Sequence, residues 1–289
     1  MKVSVSYNTQ DPENNQFELL AKCGFDAVDF ACGGLYEKTD DELYKHCTAI
    51  KQSANAAGIV IGQTHSDFSG HPRGYNFNYD EIVERQIVSI KATHFFGSKN
   101  CIIHPIIFPG RRYELLLQES LDKTIEFYSR LIPTLEEYDV YCCVENMWVS
   151  DPVHKHICPT IFSRAQEMVD VCNILGDRFK ICVDTGHGEV TGDEVCEMIR
   201  ISGDKLYALH THDTDCAHDL HTVPYMAHHY NKNDKPCDYE AMMKALDDVN
   251  YKGTLNFEVG IPGPAEIREA GLTYLAKVGK YLASLRQNG

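Results

Sequence analysis

KICVD (180–184) is an apolar, strand-like run that ends in Asp184, a side chain able to bind a metal ion. The same pattern recurs in five other runs: IVIGQTH ending at His65, CIIH at His104, YCCVE at Glu145, LYALH at His210 and TLNFE at Glu258. Charged groups are rarely buried unless they are paired or metal-bound. In a (β/α)8 barrel the carboxyl ends of all strands meet on one face, where catalytic groups collect. The pattern predicts such a barrel with a metal centre at its mouth.

Strand-like and helix-like segments alternate along all 289 residues. Two further strands are predicted at 2–6 and 27–32, long helices at 114–138 and 160–175, and a polar insertion at 149–159. Thr39-x-x-Glu42 and Thr191-x-x-Glu194 read as capping boxes, and Asp238 as a helix N-cap. Eight strand–helix units in a chain of this length favour α/β architecture and a single TIM barrel domain over 1–289 rather than an open doubly wound sheet.

Composition limits the function classes. The formal net charge is −15 and the longest basic element is Arg111-Arg112, which disfavours a nucleic-acid partner. No apolar run approaches the roughly 20 residues of a membrane span, and MKVSVSYNTQ lacks the core of a signal peptide, so a cytoplasmic location is expected. The twelve cysteines lack metal-site spacing, and we expect reduced, mostly structural thiols.

We call the six residues that end these runs the rim residues. The last four of them along the chain come from neighbouring predicted strands: Glu145, Asp184, His210 and Glu258. Carboxylates with an imidazole suit one divalent ion, manganese first and magnesium, cobalt or zinc otherwise, and the lack of thiolate argues against a structural zinc cage. His210 and His212 point the same way from a strand, so either is a candidate ligand. His210 is preferred because it lies within the apolar run.

The blocks Val144-Glu145-Asn146, Val183-Asp184-Thr185-Gly186-His187, His210-Thr211-His212-Asp213 and Phe257-Glu258 resemble the xylose isomerase-like TIM barrel superfamily. This group includes sugar-phosphate isomerases and epimerases, D-tagatose 3-epimerases, inosose dehydratases and endonuclease IV. The resemblance covers nearly the whole chain. It implies that Glu145, Asp184, His210 and Glu258 hold the metal, and it implies a homodimer or homotetramer.

By the same resemblance, the activity would be that of a sugar isomerase or epimerase working through an enediolate, with Glu258 as general base and Glu145 as the opposite acid/base. Predicted substrate contacts are His65, His104, Asn146, Trp148, His187, His212, Asp219 and His221. For Trp148 a packing role is an equal alternative. His65, His104 and His187 match positions that bind further metals in the endonuclease branch.

The chain departs from the family pattern at one point, and three alternative functions remain open. In D-tagatose 3-epimerases an arginine follows the histidine that corresponds to His210; here Thr214, Asp215 and Cys216 stand in its place, which argues against a ketohexose 3-epimerase. A related lyase, such as a dehydratase or an enzyme that eliminates from 3-keto-glycosides or C-glycosides, would use the same proton abstraction. An endonuclease IV-like phosphodiesterase would use nine ligands, all present here. A non-catalytic binding barrel is disfavoured by the paired glutamates.

Overall fold

The computed structural model describes residues 1–13, 15–68, 78–108, 113–151, 153–226 and 237–286. The Gly- and Asn-containing stretch 69–79, for which the sequence predicts a loop over the barrel mouth, falls largely outside these ranges. Arg73, Arg111, Arg112, His228 and His229 also lie outside them.

Eight parallel strands form the barrel, and the predicted fold class is confirmed. In spatial order they are β10 (Leu255–Phe257), β1 (Val3–Tyr7), β2 (Ala27–Ala31), β3 (Val60–His65), β4 (Asn100–Ile103), β5 (Tyr141–Glu145), β8 (Phe179–Asp184) and β9 (Leu206–His210). Thr211, directly after β9, donates to the Asn256 carbonyl at 2.8 Å and accepts from the Glu258 amide at 3.2 Å. These two bonds bridge the edge strands β9 and β10.

Helices lie between the strands along the chain. They are α1 (Phe17–Cys23), α2 (Asp40–Ala56), α3 (Tyr79–Phe96), α4 (Tyr113–Ser129), α5 (Ile132–Glu137), α6 (Ala165–Leu175), α7 (Thr185–Thr191), α8 (Val195–Ser202), α9 (Tyr239–Asp248) and α10 (Ala265–Ser284), with a 3-10 turn at Gly203–Lys205. The capping box at Thr39 and the Asp238 cap are confirmed. Among the described residues, none of these helices combines the length and the apolar character that crossing a membrane requires.

Three local predictions are wrong. The helix expected at 114–138 is two helices, because Pro133 in the first turn of α5 cannot continue a helix from α4. Thr191 does not cap α8: it is the last residue of α7, and its hydroxyl donates to the His187 carbonyl at 2.7 Å. The polar insertion forms a hairpin of β6 (Trp148–Ser150) and β7 (Ile157–Pro159), so α6 begins at Ala165 and not at 160.

Below the mouth, Ile102, Cys143, Cys182 and Ala208 form a small apolar cluster, while Cys142, on the other side of β5, joins the larger core under the helices. Polar side chains are buried there as well: Gln63 donates to the Leu209 carbonyl at 3.2 Å, and Asn256 donates to Asp29. All twelve cysteines are free thiols and most are buried, as expected for structural cysteines. The polar residues of the mouth therefore sit above a buried floor of apolar and hydrogen-bonded polar side chains.

Candidate metal centre and active site

The six rim residues lie at the carboxyl ends of the barrel strands, as the sequence pattern predicts. His65, Glu145, Asp184 and His210 are the last residues of β3, β5, β8 and β9, and His104 and Glu258 follow β4 and β10 directly. Since all eight strands are parallel, these side chains share one end of the barrel.

Four of them form what we call the carboxylate–histidine group: Glu145, Asp184, His210 and Glu258. One ligand atom from each lies within 4.8 Å of the others. His210 Nδ1 is 2.6 Å from Glu145 Oε1 and 3.3 Å from Glu258 Oε2, and Asp184 Oδ2 is 3.9 Å away. The structure thus brings His210, and not His212, to the other three predicted ligands.

Asp29 in β2 is a member of the site that the sequence reading missed. Its Oδ2 lies 2.8 Å from His210 Nε2, so the two ring nitrogens of His210 face different carboxylates. Gln63 and Asn256 also donate to Asp29 Oδ2, at 3.0 and 3.3 Å. Asp29 is 2% exposed. Its signal in the sequence is a charge in the middle of the apolar run AVDFA, where solvent exposure is not expected.

Burial and close charges compete at this group. Burial raises the pKa of Glu145, but the His210 charge and hydrogen bonds from His104 and His210 outweigh it and hold that pKa well below the usual range. Burial lowers the pKa of His210, but the negative groups around it, including Glu258 and Glu145, raise it well above its usual value. The buried carboxylates therefore need positive charge close by.

Asn146 positions Asp184. Its Nδ2 donates to the Asp184 carbonyl at 2.8 Å, and its Oδ1 accepts from the Asp184 amide at 2.7 Å. The Asn146 side chain is buried, so this geometry favours a positioning role over the predicted substrate contact.

His65 and His104 stand together beside Glu145. Their Nε2 atoms are 3.1 Å apart, and His104 Nε2 is 3.0 Å from Glu145 Oε2. Phe68, which the sequence reading did not single out, stacks on the His104 ring with centroids 5.5 Å apart. Because Phe68 is 53% exposed, its ring is available to a substrate.

A second cluster, the three-histidine group, lies on the other side of Asp184. Its members are His187, His212, Asp219 and His221. His212 Nε2 is 3.1 Å from Asp184 Oδ1, and Asp219 Oδ2 is 3.4 Å from His187 Nε2 and 3.2 Å from His221 Nε2. His212 is fully buried.

Backbone carbonyls and Trp148 orient this second cluster. His187 Nδ1 donates to the Asn146 carbonyl and His221 Nδ1 to the Glu258 carbonyl, both at 2.8 Å. Trp148 Nε1 donates to Asp219 Oδ2 at 3.0 Å. Trp148 therefore holds Asp219 through its indole nitrogen, and the sugar contact expected of its ring face stays a prediction.

Gly186 in the Asp-Thr-Gly-His block makes room for His212. A Cβ atom at Gly186 would lie 1.9 Å from His212 Cε1, far inside contact distance. The glycine in this motif thus has a packing reason in this chain.

A cavity of about 520 Å³ opens beside the carboxylate–histidine group. Among the residues that line it are Asp29, His65, Phe68, His221 and Glu258, together with Arg268 from α10. This size lies in the range of small-molecule sites. Glu258 is the one predicted ligand among the described cavity residues.

The residues present fit a divalent cation. Three carboxylates and one imidazole converge in a largely buried site, and hard oxygen donors with one nitrogen suit manganese or magnesium. This convergence of buried acidic oxygens on one imidazole is typical of ligands arranged around an ion.

Residues 17–278 match the sequence profile of the family described as xylose isomerase-like TIM barrel. The chain belongs to this family. A relative in Sinorhizobium fredii, the uncharacterised protein y4fM, is 22% identical over 215 residues, 72% of this chain. The match spans only 62% of that relative's length.

Solved structures share the fold. A D-psicose 3-epimerase from Clostridium cellulolyticum H10, solved with D-tagatose, has a TM-score of 0.71 at 16% identity, covering 99% of this chain and 100% of that one. The 3-keto-D-glucoside 4-epimerase of E. coli has a TM-score of 0.66 at 15% identity, covering 96% and 99%. A xylose isomerase domain protein from Planctomyces limnophilus has 0.72 at 13%, covering 100% and 99%. The TM-scores show that these proteins share the fold of this chain. At identities this low, the similarity shows the fold alone.

Proposed function

We propose that this protein is a divalent-metal-dependent sugar isomerase or epimerase that removes a proton next to a carbonyl group and passes through an enediolate. The observation that carries the proposal is that Glu258 belongs both to the carboxylate–histidine group and to the wall of the cavity. The four residues of that group would hold the ion, with manganese the first choice and magnesium, cobalt or zinc the others. When bound, the ion supplies a Lewis acid that stabilises negative charge on a substrate oxygen.

Glu258 is the proposed general base. Its side chain is 26% exposed, against 1% for Glu145, so a substrate carbon in the cavity can approach it. Glu145 is the proposed opposite acid/base, and His104 Nε2 at 3.0 Å is placed to exchange a proton with it. His65 and Phe68, on the cavity wall, are proposed to bind the sugar.

The similar structures support sugars as the substrate class, since two of them are described as sugar epimerases. The sequence after β9, with Thr214, Asp215 and Cys216, argues against a ketohexose 3-epimerase. A related lyase is the alternative form of this proposal. Such a lyase, for example a dehydratase or an enzyme that eliminates from 3-keto-glycosides, begins with the same proton transfer. Self-association into dimers or tetramers and a cytoplasmic location remain predictions.

Hydrogen exchange tests the proposal. A panel of sugars, keto-sugars and inositol derivatives is incubated in D2O with the manganese-loaded protein, and deuterium at carbon is measured by NMR. We expect exchange with at least one compound, loss of about a thousandfold or more in Glu258→Gln, and no change in Glu266→Gln, an exposed glutamate at the start of α10. Exchange at wild-type rate in Glu258→Gln would rule out the assigned base.

A second candidate is a metal-dependent phosphodiesterase like endonuclease IV. The specific observation in its favour is the three-histidine group, which places His187, Asp219 and His221 within reach of one ion next to the carboxylate–histidine group. The net charge of −15 weighs against a DNA substrate. Three zinc ions per chain together with hydrolysis of bis(p-nitrophenyl) phosphate would favour this candidate over the isomerase.

A further inference from the structure

We propose that Arg268 recognises a carboxylate on the substrate, so that the substrate class is a sugar acid. This inference rests on the proposed function for the sugar part of the ligand. Arg268 lies in the first turns of α10 and lines the same cavity as Glu258. Leu272, one turn further on the same helix face, also lines it.

The loop from β10 to α10 is packed tightly enough to fix the part of the cavity wall that contains Arg268. A Cβ atom at Gly271 would lie 2.5 Å from Ile261 Cγ2, so Ile261 sits directly on the helix. Ile261 and Leu272 line the cavity together with the half-buried Arg268. An ion pair formed inside a cavity is less screened than one at an open surface.

Charge pairing singles Arg268 out. The six other arginines of the described ranges each have a carboxylate oxygen at 2.7 to 3.4 Å: Arg85, Arg130, Arg164, Arg178, Arg200 and Arg286. Within the same ranges, Arg268 has no carboxylate partner, and its side chain makes one long hydrogen bond, from Nη2 to the Gly263 carbonyl at 3.4 Å. In a chain with a net charge of −15, an arginine without an acidic partner is unusual.

The chemistry of the wall favours a carboxylate over a phosphate. One guanidinium binds a carboxylate through two parallel hydrogen bonds, whereas phosphate sites usually collect several donors or a lysine as well. No lysine lines the cavity among the described residues. The other polar residues on this side, Asn8, Thr9 and Gln16, carry amide and hydroxyl groups that suit sugar hydroxyls.

Calorimetric binding to the manganese-loaded full-length protein tests the proposal with three probes that differ at one carbon: D-glucuronate, D-glucose 6-phosphate and D-glucose. We expect wild type to bind glucuronate at least about tenfold more tightly than glucose. Arg268→Met should remove this preference and Arg268→Lys should weaken it. Lys277→Met, which removes the same charge from an exposed position of α10, should leave it intact.

Three results would overturn the inference: no binding of glucuronate, a preference for glucuronate that survives in Arg268→Met, or a preference for the phosphate over the carboxylate. Its failure is distinct from failure of the proposed function. An Arg268-dependent preference without hydrogen exchange on any compound of the sugar panel, once uronic acids and their keto forms are added to it, would contradict the isomerase proposal alone. Hydrogen exchange on a neutral sugar, at equal rates in wild type and Arg268→Met, would sink the Arg268 proposal alone.

Discussion

At the scale of single residues, His210 decides how the centre is organised. One of its ring nitrogens faces Glu145 and the other faces Asp29. A carboxylate behind a metal-binding histidine fixes the ring and its tautomer and strengthens the ligand. Sequence reasoning found His210 because it ends an apolar run. It missed Asp29, which lies inside its run, because no local pattern shows which buried charge will meet a histidine from a distant strand.

Asp29→Asn therefore should weaken metal binding without unfolding the protein. We expect manganese affinity to fall about 10- to 100-fold, because the amide no longer orients the imidazole as an anion does. The measurement is a manganese titration of the metal-free variant. Asp26→Asn, just before β2 at the opposite end of the barrel, is the matched control. Equal affinities in the two variants would show that Asp29 does not act on the centre.

At the scale of elements, α7 shows where local patterns are insufficient. This seven-residue helix, TGHGEVT, contains two glycines and no apolar periodicity, so the sequence favoured a later helix start at Thr191. Its actual N-cap is Asp184, whose Oδ1 accepts from the His187 amide at 2.6 Å. The strand residue predicted as a ligand also starts the helix. The break between α4 and α5, in contrast, has a local signal, because Pro133 in the first turn of α5 cannot continue a helix from α4.

Two glycines of α7 provide a matched pair of substitutions. Gly186→Ala should cost about 2 kcal/mol or more in the free energy of unfolding, because its Cβ would overlap the buried His212 ring. Gly188→Ala should be tolerated to within about 1 kcal/mol, since the nearest atoms to its Cβ would be side-chain atoms, Met198 Sδ at 3.1 Å and Val195 Cγ2 at 3.2 Å, while alanine favours the helix. Urea denaturation measures both. Similar stabilities for the two variants would contradict this account of Gly186.

At the scale of the whole molecule, the alternation of strands and helices was sufficient to predict the barrel. It was sufficient because parallel strands bring every strand end to one face, so six separate runs specify one site. The same logic could not predict which rim residues share a cluster. The division into the carboxylate–histidine group and the three-histidine group depends on side-chain geometry around Asp184. Strand periodicity carries no information about that geometry.

Stability of the whole fold should carry a pH signature from Glu167 in α6. Burial raises the pKa of Glu167 to about 7 from 4.5, despite a hydrogen bond from the Phe162 amide. The folded state then binds a proton more tightly than the unfolded state, so this group's contribution to stability falls as the pH rises from 4.5 to about 7 and stays low above it.

Glu167→Gln should consequently raise the free energy of unfolding at pH 8 by about 1 kcal/mol, a figure discounted for partial exposure, and change it little at pH 4.5. Denaturation at the two pH values measures the difference. Glu119→Gln, on the exposed face of α4, is the control and should show no such pH dependence. A gain of the same size for Glu167→Gln at both pH values would count against the burial argument.

The most direct test of the central claim is a calorimetric titration of the metal-free protein with manganese. The claim is that Glu145, Asp184, His210 and Glu258 hold one divalent ion. We predict one equivalent per chain, an affinity lower by about 100-fold or more in His210→Gln, and a retained equivalent in His221→Gln. Three equivalents per chain, or a single equivalent that His210→Gln leaves unchanged, would contradict the assignment.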